Sequence, residues 1–282
     1  MNITSATLNR AAAAAAALAG LIYIVIQFVH PADVVESLTT QRWITVHLFS
    51  FTMAVLALIG ITGIYLRQIR QFGLLGLIAS AMLALFFVLQ AAYTFTEALV
   101  APLIAVDAPQ LATGVAGLFG REPAMSDLGI LGGLPLIGLV LYVGGGLLFG
   151  VSIIRARVLS RGAGVLLVAA AAVTPVAGAL LPHTLERLAA LPMGAALIWL
   201  GWSLWSHRTP TARPVYEIRL QGQLGQRFSD WFEGFTLTNE SDGTTTLAGP
   251  VTDQAALHGL LRRVGDLGVT LISVNDLETE KS

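Results

Sequence analysis

Six long apolar segments dominate the sequence and constrain its fold more than any other feature. A helix needs roughly 20 apolar residues to cross a lipid bilayer, and such stretches occur at residues 11–29, 43–66, 72–95, 128–154, 163–181 and 188–205. The first segment ends in Phe28-Val29-His30-Pro31, which offers no small-x-small cleavage site, so we expect an uncleaved membrane anchor. The sequence therefore predicts an all-α membrane domain, a bundle of six transmembrane helices.

The composition supports this interpretation and divides the chain in two. Only 12% of the residues are charged and 55% are hydrophobic, whereas about a quarter of an average soluble domain is charged. Residues 1–207 contain 7 of the 17 acidic residues, and residues 208–282 contain the other 10. We therefore predict a transmembrane domain at 1–207, a polar, proline-bearing linker at 208–214 and a soluble domain at 215–282.

The distribution of arginines predicts the orientation of the helices. Loops on the cytoplasmic side of a membrane carry an excess of Lys and Arg. If the N-terminus is inside, the arginines at the inner helix ends and in the linker are Arg10, Arg67, Arg70, Arg155, Arg157, Arg161, Arg208 and Arg213. The outer loops keep only Arg42, Arg121 and Arg187. This bias predicts a protein of the bacterial cytoplasmic (inner) membrane with both termini in the cytoplasm.

The soluble part has the pattern of a small α+β domain. Residues 215–221 alternate as a strand does, 226–233 predict a short helix, and 235–239 and 244–248 flank Asp242-Gly243, a strong hairpin signal. A helix capped by Thr252 or Asp253 carries an apolar stripe to Leu267, and 268–275 predict a last strand. The order βαββαβ predicts a ferredoxin-like fold on the cytoplasmic side.

Short motifs in both parts resemble known protein groups. The membrane part resembles uncharacterised bacterial six-helix integral membrane proteins through His30-Pro31, Trp43 with His47, Gly63-Ile64-Tyr65 before Arg67-Gln68, Glu97 with Pro102, and Ile154-Arg155-Ala156 before Leu159-Ser160-Arg161. Residues 219–273, especially Ser229-Asp230-Trp231-Phe232 and the run from Gly249 to Leu260, are similar to a small domain that recurs in uncharacterised bacterial proteins. The resemblance implies a bacterial source and a two-part layout, and it implies no activity or cofactor.

Polar side chains near the predicted outer surface form the candidate site, because ionisable groups within a membrane domain are costly and usually functional. On the third segment Gln90, Thr94 and Glu97 are four and three residues apart, which places them on one helix face. The candidates for lining a ligand pocket are Gln27, His30, His47, Gln90, Tyr93, Thr94, Glu97 and His183. A short helix within the loop 101–126 is expected to lie on the outer surface or to cover this cluster.

Three interpretations of this cluster stay open. Imidazole and carboxylate groups suit Zn²⁺ or a similar divalent ion, and His47, Glu97 and His183 are the first choice of ligands, with His30 as an alternative third. A second interpretation is a structural contact in which His47 and Glu97 hydrogen-bond each other. The third is a pocket without metal, in which Glu97 relays protons or holds a cationic ligand.

The expected function is that of a sensor, regulator or assembly partner, without an assigned reaction or catalytic residue. The bundle contacts the lipid bilayer, and the soluble domain is expected to bind a cytoplasmic protein or a second copy of itself. One alternative is an outer-leaflet metal-dependent membrane enzyme that uses the His/Glu cluster. Another is a small-molecule channel or carrier, although Ser80 is the only polar residue in the inner half of the third segment, 73–86.

The counts of charged residues and of cysteine argue against several other classes of protein. The 16 basic residues are balanced by 17 acidic ones, so the charge gives no support for a nucleic-acid partner. The sequence contains no cysteine, which excludes disulfides, thiolate metal sites and cysteine nucleophiles. We expect no cofactor, and the one alternative is a divalent metal such as zinc at the His/Glu cluster.

Overall fold

A computed structural model describes residues 4–118, 128–181, 187–206, 215–225, 228, 231–251 and 254–277. The chain divides into two compact units, Met1–His207 and Arg208–Ser282. The first unit is helical throughout its described elements, and the second contains a small sheet.

The first unit is a ring of long helices. In chain order its helices are α1 (Ser5–Val29), α2 (Val35–Leu38), α3 (Gln41–Arg67), α4 (Ile69–Phe95), α5 (Ala101–Ile104), α6 (Pro109–Ala116), α7 (Leu134–Ala156), α8 (Arg161–Leu180) and α9 (Leu191–Ser206). A π-helical turn, Thr96–Val100, joins α4 to α5. Each long helix packs on the next one in the order α1, α3, α4, α7, α8, α9, and α9 packs back on α1.

Local sequence signals set the helix starts. The hydroxyl groups of Thr4, Thr40 and Ser160 accept hydrogen bonds from backbone N–H groups of the first turns of α1, α3 and α8, as N-cap residues commonly do. Near the start of α4 the backbone kinks at Gly73, where φ is 57°. A residue with a side chain rarely adopts that angle, so glycine allows the chain to change direction within the first turns of α4.

The described helices have the apolar character expected of a membrane protein. Five stretches are long and apolar enough to cross a bilayer, namely Ala6–Val29, Gln41–Arg67, Ile69–Ile104, Gly129–Ala156 and Arg187–Ser206. The remaining predicted segment forms α8, whose apolar stretch Arg161–Ala177 is shorter. Large apolar side chains such as Leu77, Val140 and Trp202 remain exposed on outer helix faces, which is compatible with contact with lipid.

Small residues allow the helices to approach closely. A Cβ atom added to Gly60 on α3 would lie 2.7 Å from the Cα atom of Ala16 on α1, and one added to Gly201 on α9 would lie 2.6 Å from the carbonyl oxygen of Ala13. The alanine-rich face of α1 is therefore in near-backbone contact with both neighbouring helices. Such small-residue contacts are typical of helix association in membranes.

The second unit is a four-stranded antiparallel sheet with a helix packed on it. Its elements are β1 (Val215–Gln221), β2 (Thr236–Asn239), β3 (Thr244–Pro250), α10 (Gln254–Asp266) and β4 (Leu271–Leu277). The strand order is β2-β3-β1-β4, and every neighbouring pair is antiparallel. The apolar stripe of α10 is buried through Leu257, Leu260 and Val264, as the sequence predicts, and packs on a core that includes Ile218 and Leu247.

The predicted hairpin at Asp242-Gly243 is confirmed, because β2 and β3 pair directly across it. Gly243 has a φ of 86°, and the Asp242 carboxylate accepts hydrogen bonds from the backbone N–H and the hydroxyl of Thr244. Half of the short helix predicted at 226–233, namely residues 226, 227, 229 and 230, lies outside the described residues. Of the other four, residues 228, 231 and 232 are in 3-10 conformation and residue 233 lies in a turn.

Candidate functional site

A polar, partly open cavity lies at the end of the bundle where α1 and α4 end and α3 begins. Its volume is about 270 Å³, which is room for several water molecules or a small ligand. The residues that line it are Tyr23, Ile26, Gln27, His30, Asp33, His47, Ser50, Met53, Gln90, Tyr93, Thr94, Glu97, Ala116 and Arg187. The cavity therefore combines acidic, basic, amide and hydroxyl groups from helices far apart in sequence.

His47 is held rigidly in the wall of this cavity. Its Nδ1 atom lies 2.8 Å from the backbone oxygen of Trp43, and its ring stacks on the Trp43 indole with the ring centroids 4.0 Å apart. A carbonyl oxygen only accepts hydrogen bonds, so Nδ1 carries the proton and, in the neutral ring, Nε2 presents a lone pair. Nε2 lies 3.5 Å from Oε1 of Glu97, and it makes no hydrogen bond within the described residues.

Glu97 is presented by the π-helical turn Thr96–Val100. In this turn the backbone N–H of Ala101 donates to the carbonyl of Thr96, five residues back. By the same spacing the carbonyl of Glu97 would pair with residue 102, which is Pro102 and has no N–H. The indole Nε1–H of Trp43 donates to that carbonyl instead, at 2.8 Å. π-helical turns are rare and are frequent at functional sites.

A second acidic group in the cavity has a cationic partner. Nη2 of Arg187 lies 3.1 Å from Oδ2 of Asp33, and Nδ1 of His30 lies 3.8 Å from Oδ1 of the same carboxylate. His30 follows the last residue of α1 and meets the His47 ring edge-on, with the ring centroids 5.0 Å apart. Asp33 is therefore balanced by Arg187, whereas no cationic side chain that is always charged pairs with Glu97 within the described residues.

The other polar residues of the cavity bond mainly to the backbone. The Gln27 amide donates to the Tyr23 carbonyl, and the Thr94 hydroxyl donates to the Gln90 carbonyl. The Tyr93 hydroxyl donates to the carbonyl of Ala116 at 2.7 Å. This last bond attaches α6, the short helix in the predicted loop, to α4, and Ala116 closes one side of the cavity.

The structure brings together most of the residues that the sequence singles out. Seven of the eight line the one cavity, namely Gln27, His30, His47, Gln90, Tyr93, Thr94 and Glu97. His183 lies outside the described residues, so its position relative to them stays a prediction. In the described part of the chain no three His, Cys, Asp or Glu side chains are close enough to form a complete ligand set for a metal ion. Binding of a ligand or metal likewise stays a prediction.

Sequence reasoning missed Asp33, Ser50 and Arg187 as cavity residues. Ser50 follows His47 by three residues, so helical periodicity alone was a signal for the same face. The ion pair between Asp33 and Arg187 joins residues 154 positions apart, and nothing in the sequence pairs them.

Apolar packing lies beneath the polar cavity. A cavity of about 60 Å³ shares Tyr23, Met53 and Gln90 with it, and a void of only about 10 Å³ follows. Leu83, Phe87 and Phe149 are among the residues that surround this last void. Within the described residues, the polar cavity therefore narrows into mostly apolar packing.

Comparison with known proteins identifies the C-terminal part alone. Residues 215–275 match a family described as Domain of unknown function (DUF8691). This match confirms the expected small, recurring, uncharacterised domain at the C-terminus. No curated protein and no solved structure matches the chain significantly.

Proposed function

We propose that the chain is a multi-pass protein of the bacterial cytoplasmic membrane, with both termini in the cytoplasm. The distribution of arginines supports this orientation, since eight of the eleven near the helix ends and in the linker fall on one side. In this orientation the polar cavity opens toward the outside of the cell, and the sheet unit is cytoplasmic.

The proposed function is that of a sensor. A small polar ligand binds in the outer cavity, and the cytoplasmic unit communicates with a protein partner or with a second copy of itself. The observation that carries this proposal is the cavity, which is polar at its opening and ends against apolar packing around Phe87 and Phe149. A blind polar cavity suits binding, whereas a carrier requires polar groups along its whole path.

For the cytoplasmic unit we propose the ferredoxin-like fold. The antiparallel order β2-β3-β1-β4 supports it, because that order arises when two βαβ units interleave. The fold hosts many functions, so the role of this unit in contacting a partner rests on its place in the chain.

A metal-dependent enzyme at the outer membrane surface is the second candidate. The close approach of His47 Nε2 and Glu97 Oε1, 3.5 Å apart, favours it. A metal held by few protein ligands keeps positions for water and substrate, as hydrolytic sites require.

The absence of cysteine makes a direct test of the sensor proposal possible. Ser50→Cys introduces a nearly isosteric thiol into the cavity wall, and Ser80→Cys introduces one into the buried inner half of α4. Intact spheroplasts are treated with cationic trimethylammonioethyl methanethiosulfonate or with anionic sulfonatoethyl methanethiosulfonate. After any bound metal is removed with a chelator, we expect Ser50→Cys to react from outside, and faster with the cation, since Glu97 leaves the metal-free cavity with excess negative charge.

The control thiol and a second measurement separate the candidate functions. Labelling of Ser80→Cys would indicate a continuous path and would favour a carrier. The group that the reagent attaches to Ser50→Cys then mimics a bound ligand. Backbone hydrogen exchange at residues 215–277 is measured in the labelled and in the unlabelled protein. A sensor requires a change in protection there. Unchanged exchange would contradict the sensor role, and an unreactive Ser50→Cys thiol would contradict the binding cavity itself.

A further inference from the structure

Two hydrogen-bond acceptors face each other in the wall of the cavity. Nδ1 of His47 donates to the Trp43 carbonyl, so its Nε2 lone pair points toward the Glu97 carboxylate. The His47 side chain is 1% exposed and its Nε2 has no hydrogen-bond partner among the described residues. While the imidazole is neutral and the carboxylate is ionised, two buried acceptors are in contact, which is unfavourable unless a proton or another cation lies between them.

The separation of 3.5 Å between Nε2 and Oε1 indicates which species fits. A direct charge-assisted hydrogen bond is shorter, about 2.7–2.9 Å. An ammonium group that donates tetrahedrally to both atoms at such lengths would hold them about 4.5 Å apart. A tetrahedral metal ion with N and O ligands at about 2.0–2.1 Å holds them about 3.4 Å apart. The observed spacing is longer than a direct hydrogen bond and close to that of two ligands on one metal ion.

The surroundings of His47 favour the same species. Metal-binding histidines commonly donate their second ring N–H to a backbone carbonyl, which fixes the ring and raises the basicity of the ligating nitrogen. His47 has that arrangement, and stacking on Trp43 adds a second constraint on its ring. Since Arg187 pairs with Asp33, and His47 balances the charge of Glu97 only when it is protonated, the cavity with a neutral His47 has room for a bound cation beside Glu97.

We infer that the cavity binds a divalent transition-metal ion, such as Zn²⁺, between Nε2 of His47 and the carboxylate of Glu97. This inference rests on the proposed function, namely that the cavity binds a ligand from outside, and it names the chemical class of that ligand. The remaining coordination positions are left to water or to other groups, since the described residues supply no third His, Asp or Glu close enough.

The test uses the full chain, purified in detergent micelles and stripped of metal with a chelator. Zn²⁺ is titrated by competition with a chromophoric chelator into the wild type, His47→Gln and Glu97→Gln. His258→Gln is the matched control, because it removes an exposed histidine from the other unit. We expect the wild type and the His258→Gln control each to bind one equivalent of Zn²⁺. Loss of a group that only hydrogen-bonds to a metal ligand already weakens metal binding about 10–100-fold, so each variant that removes a ligand is expected to lose at least as much affinity for Zn²⁺.

A second measurement does not depend on how the variants fold. Co²⁺ bound to the wild type is expected to show the visible absorption of a low-coordinate site with nitrogen and oxygen ligands. A wild type that takes up no metal, or four proteins with equal affinity for Zn²⁺, would overturn the inference. If metal binding fails while Ser50→Cys still reacts from outside, the metal inference falls and the proposed binding cavity survives. If both fail, the proposed function falls as well.

Discussion

The indole N–H of Trp43 donates a 2.8 Å hydrogen bond to the backbone carbonyl of Glu97, 54 residues further along the chain. The bond supplies a donor to a carbonyl that the π-helical turn and Pro102 leave without one. It also joins the start of α3 to the end of α4, so that His47 and Glu97 reach the same cavity. Trp43 thus has a positioning role for both side chains.

Trp43→Phe is expected to destabilise the helical unit. The phenyl ring keeps part of the stacking on His47 but has no N–H, so the Glu97 carbonyl becomes an unsatisfied buried acceptor, which costs about 1–3 kcal/mol. Thermal unfolding in detergent measures the change. Trp202→Phe is the matched control because Trp202 is 67% exposed, and we expect almost no effect there. An equal loss of thermal stability in Trp43→Phe and Trp202→Phe would contradict a specific role for the indole N–H of Trp43.

Glu97→Gln is expected to stabilise the metal-free protein. A glutamine amide can donate to the lone pair of His47 Nε2, which replaces a contact between two acceptors with a hydrogen bond of about 0.5–1.5 kcal/mol. The unfolding temperature is measured with excess chelator, and Glu36→Gln, an exposed carboxylate, is the control. A clear loss of stability would instead support the interpretation of His47 and Glu97 as a structural pair.

Gly60→Ala is expected to force α1 and α3 apart. The new methyl group would lie 2.7 Å from the Cα atom of Ala16, a backbone atom that cannot move alone, and overpacking of this kind costs about 1–3 kcal/mol. Gly259→Ala is the matched change in α10, where a Cβ atom meets nothing within 4 Å. There we expect a gain of up to about 1 kcal/mol, because alanine favours helix over glycine. Unfolding of each unit is followed separately, and a neutral Gly60→Ala would contradict the tight contact.

Asp242 is expected to make the stability of the sheet unit depend on pH. The Thr244 hydroxyl and backbone N–H, together with the nearby Arg219 guanidinium, hold the pKa of Asp242 below its usual value of 3.8. A carboxylate with a lowered native pKa stabilises the fold above its unfolded pKa. That contribution is lost as the pH falls from about 4 through the lower native pKa.

Urea unfolding of residues 208–282 between neutral and strongly acidic pH tests this expectation. The fragment is expected to fold alone because Ile218, Leu247 and Leu260 belong to a core of its own. Asp242→Asn should flatten the acid limb of the stability profile, and Asp276→Asn, an exposed carboxylate at the sheet edge, is the control. An unchanged acid limb in Asp242→Asn would show that other carboxylates cause the acid loss.

Local patterns in the sequence were sufficient to predict most of the long helices and the hairpin. Apolar runs predicted each long helix to within a few residues at most ends, because burial of backbone polar groups in an apolar segment leaves helix as the stable form. The Asp242-Gly243 pair predicted its hairpin through the positive φ that the turn requires. The π-helical turn was not predicted, although Pro102 was its local signal.

The sequence predicted only part of the candidate site. Hydropathy and the spacing of Gln90, Thr94 and Glu97 indicated a common depth and a common face for these residues. The rotation of each helix about its axis, and hence the meeting of His47 with Glu97 and of Asp33 with Arg187, came only from the tertiary structure. Helix rotation depends on the packing of small residues such as Gly60 against Ala16. That packing is a property of pairs of surfaces, which neither helix specifies alone.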